Sequence, residues 1–531
     1  MSSVKRSESM ETVNQGMDRR SFIQGAAAVM GAAAVPAIPA MAKGKKELQM
    51  LDGYAWAEQI RRGDVTALEA LDAAIARTEA LPKLNAVVIK DYELARDLAK
   101  QMSALGAAAR AAAAEKAPMW GTPFLIKDLN QYMKGTVTTN GCRFYKGAVA
   151  EYDSTLVARY KAAGLNIFGK TASPEFGQTA TTESLLYGNT CNPWNAKHSA
   201  GGSSGGAAAV VAAGILPVAH ASDGGGSIRI PASACGVFGL KPSRGRLPAG
   251  PVNMEGWMGL SMNHVVSRTV RDSAHLLDLT AGPEDGSRVI PSRDVEGSYL
   301  QALSRPEKKL RIAVWRKNYF GVPVHPDCQL ALDKAVKACQ DLGHEVYEAM
   351  PELPVAEMFT GMGVMTAVGM MVTISQREKL LGRSVREDEV EPLDWISLQK
   401  AKTYTAEQMY LARASFDTGG RLLDQFFNQY DLILTPTTAA PTPLLGKLSL
   451  NQPFETFMPE AMNSSPYTAL FNMSGQPAMS VPVHWTADNI PVGAHFAARF
   501  GQEGRLLRLA AQLEQSIPWA GRQPDLSVFK A

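Results

Sequence analysis

The chain has 531 residues, with 54 Lys and Arg against 51 Asp and Glu, 46% hydrophobic and 20% charged. This is an ordinary globular balance with ample material for a core, and the near-neutral charge, with no basic run in the body of the chain, excludes an electrostatic nucleic-acid footprint. The five cysteines, Cys142, Cys191, Cys235, Cys328 and Cys339, are odd in number and contain no C-x-x-C pair. They argue against a disulfide framework and a structural zinc site, and for buried, reduced thiols.

At the N-terminus, Asp18-Arg-Arg-Ser-Phe-Ile23 resembles a twin-arginine export leader. A weakly apolar stretch from Phe22 to Met41 follows and ends Ala40-Met41-Ala42, which fits an A-x-A cleavage site. The rival reading is a membrane anchor. Pro36, Pro39 and the Ala/Gly richness oppose it. The expectation is a signal over residues 1–42, a catalytic domain over 43–531, and a periplasmic or secreted protein. Export in the folded state suits a protein with unpaired thiols.

Helical spacing at Tyr54, Ala57 and Ile60, then at Leu68, Leu71 and Ile75, predicts two helices, with Thr66 as N-cap of the second. Leu84–Ile89 reads as a short strand. The Ala-rich segment 91–116 reads as one long surface helix. From Thr122 to Gly250, short apolar runs such as Phe124–Ile126 and Leu165–Phe168 alternate with Gly/Ser/Thr loops and Ala-rich stretches. That texture predicts an α/β fold. Further strands are expected at Arg311–Trp315, Val346, Leu432–Leu434, Ala478–Val483 and Val492–Phe496. Helices are expected near Pro326–Asp341, 355–380, 404–428 and Arg505–Gln515. No linker divides the chain.

Two motifs mislead. Gly164-Leu-Asn-Ile-Phe-Gly-Lys-Thr171 satisfies the phosphate-loop pattern, but Leu, Asn, Ile and Phe read as a strand rather than a loop that could curl around an anion. Gly201-Gly-Ser203-Ser-Gly205 satisfies the nucleophile-elbow pattern of α/β hydrolases. Its upstream residues, Trp194 to Ala200, read as a polar loop, and no downstream histidine sits in a recognisable acid–base setting.

Three segments carry the chemistry together: Gly121-Thr-Pro-Phe-Leu-Ile-Lys127-Asp128, with a lysine ending an apolar strand; Gly201-Gly-Ser203-Ser204-Gly205-Gly206, leading into an Ala-rich helix; and Ser222-Asp223-Gly-Gly-Gly-Ser227-Ile-Arg229. With the run Arg229 to Arg246 and Asn472-Met-Ser-Gly-Gln-Pro477, they resemble the amidase signature family over about residues 54 to 520. Within it, the chain is most similar to cyclic-amide hydrolases of the 6-aminohexanoate cyclic dimer type. The resemblance implies a single large domain, with a central mixed β-sheet covered by helices on both faces.

Amide hydrolysis needs a nucleophile, a proton route to the leaving amine, and donors for the oxyanion. Ser227 is the expected nucleophile, and Gly224, Gly225, Gly226 and Ser227 would offer N–H groups as an oxyanion hole. The resemblance implies that a cis peptide precedes Ser203, which would relay a proton between Ser227 and Lys127. Lys127 must be neutral to act as base, and burial behind Phe124–Ile126 would lower its pKa. Asp223 and Arg229 are assigned to holding the loop. The resemblance further brings the region of Cys142, the Met358–Met371 stretch and Tyr467–Gln476 near the site, with Cys142, Tyr467 and Asn472 as substrate contacts.

The chemistry calls for no metal and no cofactor. The expected partner is a small, mainly uncharged cyclic or linear amide, without nucleic acid or a stable membrane anchor, and a homodimer is compatible with the chain. Aryl-acylamides, carbamates or esters would use the same machinery. Two rival readings of the same fold are the glutaminase-type subunit of an amidotransferase and an exported binding protein.

Overall fold

The computed structural model describes residues 51–530, so the proposed leader lies outside the described residues. Strands β1 (Val87–Lys90), β2 (Pro123–Lys127) and β3 (Asn166–Thr171) form a small sheet in the order β1-β3-β2, with β2 and β3 parallel. A larger sheet joins β4 (Val218–Asp223), β5 (Phe238–Lys241), β6 (Met262–Ser267), β7 (Arg311–Val314), β8 (Glu345–Glu348), β9 (Leu432–Pro436), β10 (Ala478–Trp485) and β11 (Pro491–Ala498). Its order is β8-β7-β9-β11-β10-β5-β6-β4. The pairs of β7 with β8 and β9 are parallel and the others antiparallel, so the sheet is mixed as expected.

The period-2 geometry of strands explains why both faces are covered. Leu432 and Leu434 point into a core shared with the helices Val270–Thr280, Pro326–Asp341 and Glu503–Ser516. Ile433 between them points into another core, with Met358 and Met365 of the helix Val355–Leu381 and Phe416 of Ala406–Phe426. Val355–Leu381 is long and apolar enough to cross a membrane. Here Met358, Met365, Met370 and Ile374 are buried, and Gly361 lets the helix approach the Ala412 backbone, where a Cβ would sit at 2.9 Å.

Thr66 caps the helix Ala67–Glu79 through a capping box with Glu69. The Ala-rich segment is two helices, not one: Tyr92–Ser103 and Ala107–Lys116, with Gly106 as N-cap of the second. High alanine propensity conceals this interruption, because it rewards every position alike and only the glycine breaks it. The phosphate-loop pattern ends in β3, whose residues are all buried. Lys170 there donates to the carbonyl of Gln131 at 3.3 Å and to Thr138 Oγ1. The residues before Ser203 differ from expectation: Asn195–Ser199 is a strand, paired with Cys191–Asn192 in a separate two-stranded hairpin. It lies outside the large sheet, and Ala200–Gly202 still separate it from Ser203.

Candidate active site

Lys127 ends β2, a strand with every residue buried. Its backbone N–H donates to Nδ1 of His220 on β4 at 3.1 Å, joining the small sheet to the edge strand of the large one. Nδ1 therefore accepts and the ring proton sits on Nε2, 3.4 Å from Asn263 Oδ1. Burial and the nearby Lys127 push the His220 pKa down to about 3, so the ring is neutral. Ser222, two residues along β4, shares the face of His220.

The Lys127 ammonium donates to Ser203 Oγ at 2.7 Å, Ser204 Oγ at 2.9 Å and Ser222 Oγ at 3.1 Å. Burial lowers its pKa to about 7, with Asp223 opposing the shift. Near neutral pH the amine thus holds both forms in comparable amounts, the condition under which a base and its conjugate acid both work. Ser204 Oγ donates its proton to the Ser222 carbonyl at 3.0 Å, so towards Lys127 it can only accept. Once Lys127 loses a proton, one remaining N–H serves Ser204, and the lone pair falls to the hydroxyl of Ser203 or Ser222.

The Gly202–Ser203 peptide is cis, as the resemblance implies. Glycine is required at 202 because a Cβ there would lie 2.2 Å from the Thr181 carbonyl oxygen. Gly177 faces Ser203 in turn: a Cβ at that position would sit 3.1 Å from Ser203 Oγ. The Ser204 N–H donates to the Ser227 carbonyl at 3.2 Å, so the two serine-bearing loops are tied directly. Ser227 is half-buried while Lys127 and Ser203 are buried.

Asp223 organises the glycine loop. Its carboxylate accepts from the N–H groups of Gly226 at 2.8 Å and Ile228 at 3.0 Å, and from Arg229 Nε and Nη2 at 2.9 Å each. Burial alone would raise its pKa, but the Arg229 guanidinium holds it well below the usual carboxylate range. Arg229 also donates to the Thr468 carbonyl at 2.9 Å and to Asn472 Oδ1 at 2.6 Å. These contacts fit the loop-holding role expected of Asp223 and Arg229.

Two expectations need correction. Gly226 cannot offer its N–H to an oxyanion here, because Asp223 takes it. The N–H groups of Gly224, Gly225 and Ser227 make no hydrogen bond among the described residues. Asn472 is not placed for substrate: it is fully buried, and its amide donates to both the carbonyl and Oδ1 of Asp223 at 2.8 Å and to the Leu260 carbonyl at 3.0 Å. Cys142 is buried in an apolar cluster with Phe144, Tyr145 and Phe176, its Sγ 3.5 Å from the Glu389 carbonyl. Burial raises its pKa well above the usual thiol value. Tyr467 is fully buried.

The structure adds residues that motif reading left unassigned. Ser204, Ser222 and His220 surround Lys127, and the alternation of His220 and Ser222 in a strand was the available signal. Trp257 packs on Gly224, Met362 on Gly225 and Thr468 on Gly226. The Gly225 carbonyl accepts from Thr468 Oγ1 at 2.7 Å. Trp257 gave no signal, since it comes from a connection between β5 and β6.

A buried lysine among serine hydroxyls, beside a glycine-rich turn with free N–H groups on a mixed α/β sheet, is the equipment of a hydrolase. The chain belongs to the amidase family, whose model, described as Amidase, matches residues 69–507, and it is an amide-cleaving hydrolase. It is 35% identical over 489 residues to the 6-aminohexanoate-cyclic-dimer hydrolase of Paenarthrobacter ureafaciens, covering 90% of this chain and 96% of that protein. A solved structure of 6-aminohexanoate cyclic dimer hydrolase complexed with substrate is similar with a TM-score of 0.83 and 34% identity, over 90% of this chain and 99% of that one. A bacterial aryl acylamidase structure follows at a TM-score of 0.80 and 26% identity, over 90% of this chain and 99% of that one.

Proposed function

We propose that Ser227, Ser203 and Lys127 form the catalytic relay of this amidase, acting through an acyl-enzyme on a small, uncharged amide, cyclic or linear. The observation that carries the reading is Lys127 Nζ, fully buried, 2.7 Å from Ser203 Oγ, with its pKa lowered to about 7. In the proposed cycle, neutral Lys127 takes the Ser203 proton and Ser203 takes that of Ser227. Ser227 Oγ then bonds to the carbonyl carbon, with the oxyanion held by the N–H groups of Gly224, Gly225 and Ser227. The C–N bond breaks as the leaving nitrogen receives the proton back along the same route. Water then adds to the ester, its proton passing to Lys127, and the acid leaves as Ser227 regains its proton.

Similarity to the cyclic dimer hydrolases supports a cyclic or linear oligoamide as substrate, and the aryl acylamidase keeps aryl amides as the second reading. We place the enzyme outside the cytoplasm, on the strength of Arg19-Arg20 and the apolar stretch behind them. The test is labelling by a fluorophosphonate mapped by mass spectrometry, run beside a panel of cyclic amides, linear amides, anilides and esters. A Ser227 adduct and amide turnover that Ser227→Ala abolishes are expected. An adduct on Ser203, or turnover retained in Ser227→Ala, would overturn the assignment.

A further inference from the structure

The glycine loop that offers the free N–H groups is covered on its side-chain face by two elements distant in sequence. A Cβ on Gly224 would meet Trp257 Cζ3 at 2.6 Å and Cε3 at 2.8 Å, and a Cβ on Gly225 would meet Met362 Cε at 2.8 Å. The indole thus lies directly on the main chain at 224, and the thioether on that at 225. The far edge of the indole reaches the helix Val355–Leu381, where a Cβ on Gly369 would sit 3.1 Å from Cδ1. Trp257 is therefore clamped between two glycines.

Met362, Thr366 and Gly369 stand at i, i+4 and i+7 and share one face of that helix. Thr366 turns its hydroxyl back to the Met362 carbonyl at 3.0 Å, leaving its methyl as the remaining end of the side chain. The turn that presents the indole is unusual. Trp257 has φ 46° and Met258 φ 53°, left-handed values that bulky residues rarely adopt. The Arg413 guanidinium on the Met258 carbonyl at 3.4 Å and Arg244 Nε on the Gly259 carbonyl at 2.6 Å fix this turn. A backbone held this way over an otherwise exposed connection marks a functional constraint.

We infer that Trp257 and Met362 are specificity determinants for the acyl half of the substrate: they form a flat, apolar, uncharged wall over Gly224 and Gly225 that admits an unbranched methylene chain beside the scissile carbonyl and rejects branched or charged groups there. Both roles rest on the catalytic reading of Ser227 and its neighbouring N–H groups. The two residues whose N–H groups would hold the carbonyl oxygen are the two that the indole and the thioether touch, which sets the wall beside the carbonyl's α-carbon in this reading. Neither the indole nor the thioether carries a charge, so an acyl carboxylate or ammonium lying against them would give up water without gaining a partner from this wall.

The test compares p-nitroanilides of hexanoic, 2-methylhexanoic, pivalic and succinic acids on the wild type, Trp257→Ala and Met362→Ala, with melting temperature as the control for folding. The wild type is expected to favour hexanoyl over 2-methylhexanoyl by about tenfold or more in kcat/KM, the scale of one methyl group in a hydrophobic pocket. Each variant should narrow that ratio severalfold, with the branched substrate gaining relative to the straight one. Should Trp257→Ala not fold, Met362→Ala, at a half-buried position, decides alone. Folded variants that keep the wild-type ratio, or a wild type labelled at Ser227 that shows no preference, would overturn this inference by itself. A wild type that neither cleaves any anilide nor takes a fluorophosphonate at Ser227 would instead bring down the catalytic reading, and this one with it.

Discussion

Asn472 and Asp223 are joined twice, the amide of Asn472 donating at 2.8 Å to both the carbonyl and the carboxylate of Asp223. The pair fastens the C-terminal segment around 472 to the turn that carries Ser227. Asn472→Ala takes the amide donor from the carbonyls of Asp223 and Leu260 and one of three donors from Asp223 Oδ1, which keeps Gly226 and Arg229, and takes an acceptor from Arg229, all in a region closed to water. A loss of about 2–3 kcal/mol is expected, from unsatisfied buried groups, readable in urea unfolding, together with a fall in kcat. A raised KM at unchanged stability would instead identify Asn472 as a substrate contact.

In the proposed relay, Lys127 would set the acid limb of the activity. Its pKa near 7 means that kcat/KM should fall as pH drops through about 7, because the protonated amine cannot accept the Ser203 proton. Lys127→Ala should cost roughly 10²–10⁴-fold in kcat, the range for a positioned base, and abolish that limb. Ser204→Ala removes the acceptor that orients the amine. It is expected to lower kcat by about tenfold, the equivalent of one net hydrogen bond, while the limb stays near its wild-type pH. A limb that moves by a full unit would show that Ser204 sets the basicity of Lys127 and not its direction.

Glu175, Glu391 and Asp394 form a buried carboxyl cluster behind the Phe176–Gly177 turn, with the Glu391 N–H donating to Glu175 Oε1 at 2.8 Å. Burial pushes Glu175 up to about 8 and Glu391 up to about 7, and Asp394 well above the usual range. Cys142, Arg143 and Glu183 are the other titratable neighbours. Folded-state values raised above the unfolded ones give stability that is full below about pH 4.5 and is lost as pH rises through about 7–8. Glu175→Gln, which mimics the protonated acid, should flatten the decline of melting temperature between pH 5 and 8. An unchanged slope would show that the cluster does not control it.

Gly202→Ala forces a methyl against the Thr181 backbone, 2.2 Å from its carbonyl oxygen. Neither segment can yield by a side-chain rotation, so the cost should reach or exceed the ~1–3 kcal/mol typical of overpacking. Low soluble yield, or a melting temperature several degrees lower with activity lost, is expected. A stable, active variant would mean that the loop has room to shift.

Much of the fold was legible because hydrophobic period and composition act locally. Leu432–Leu434, Pro326–Asp341 and the Thr66 cap follow from neighbours within one turn or one strand. The Lys127–Ser203 contact was reachable through the serine and glycine motifs. Commitments made across the chain were not. That Asn472 serves Asp223 and that Trp257 lies on Gly224 are outcomes of tertiary packing between segments up to 249 residues apart, whereas the Gly226 N–H is taken by Asp223 only three residues away in the same turn. Residue type alone could nominate Asn472 and Gly226 but could not say which partner they had already taken.

The bond from the Ser204 N–H to the Ser227 carbonyl has a practical consequence for redesign. Changes in either serine loop will be felt in the other, so their effects should combine non-additively. Libraries that recombine such changes will give poor forecasts of one another. Met362, carried on a separate helix and outside that bonded frame, offers a position where the proposed selectivity can be varied independently of the serine loops.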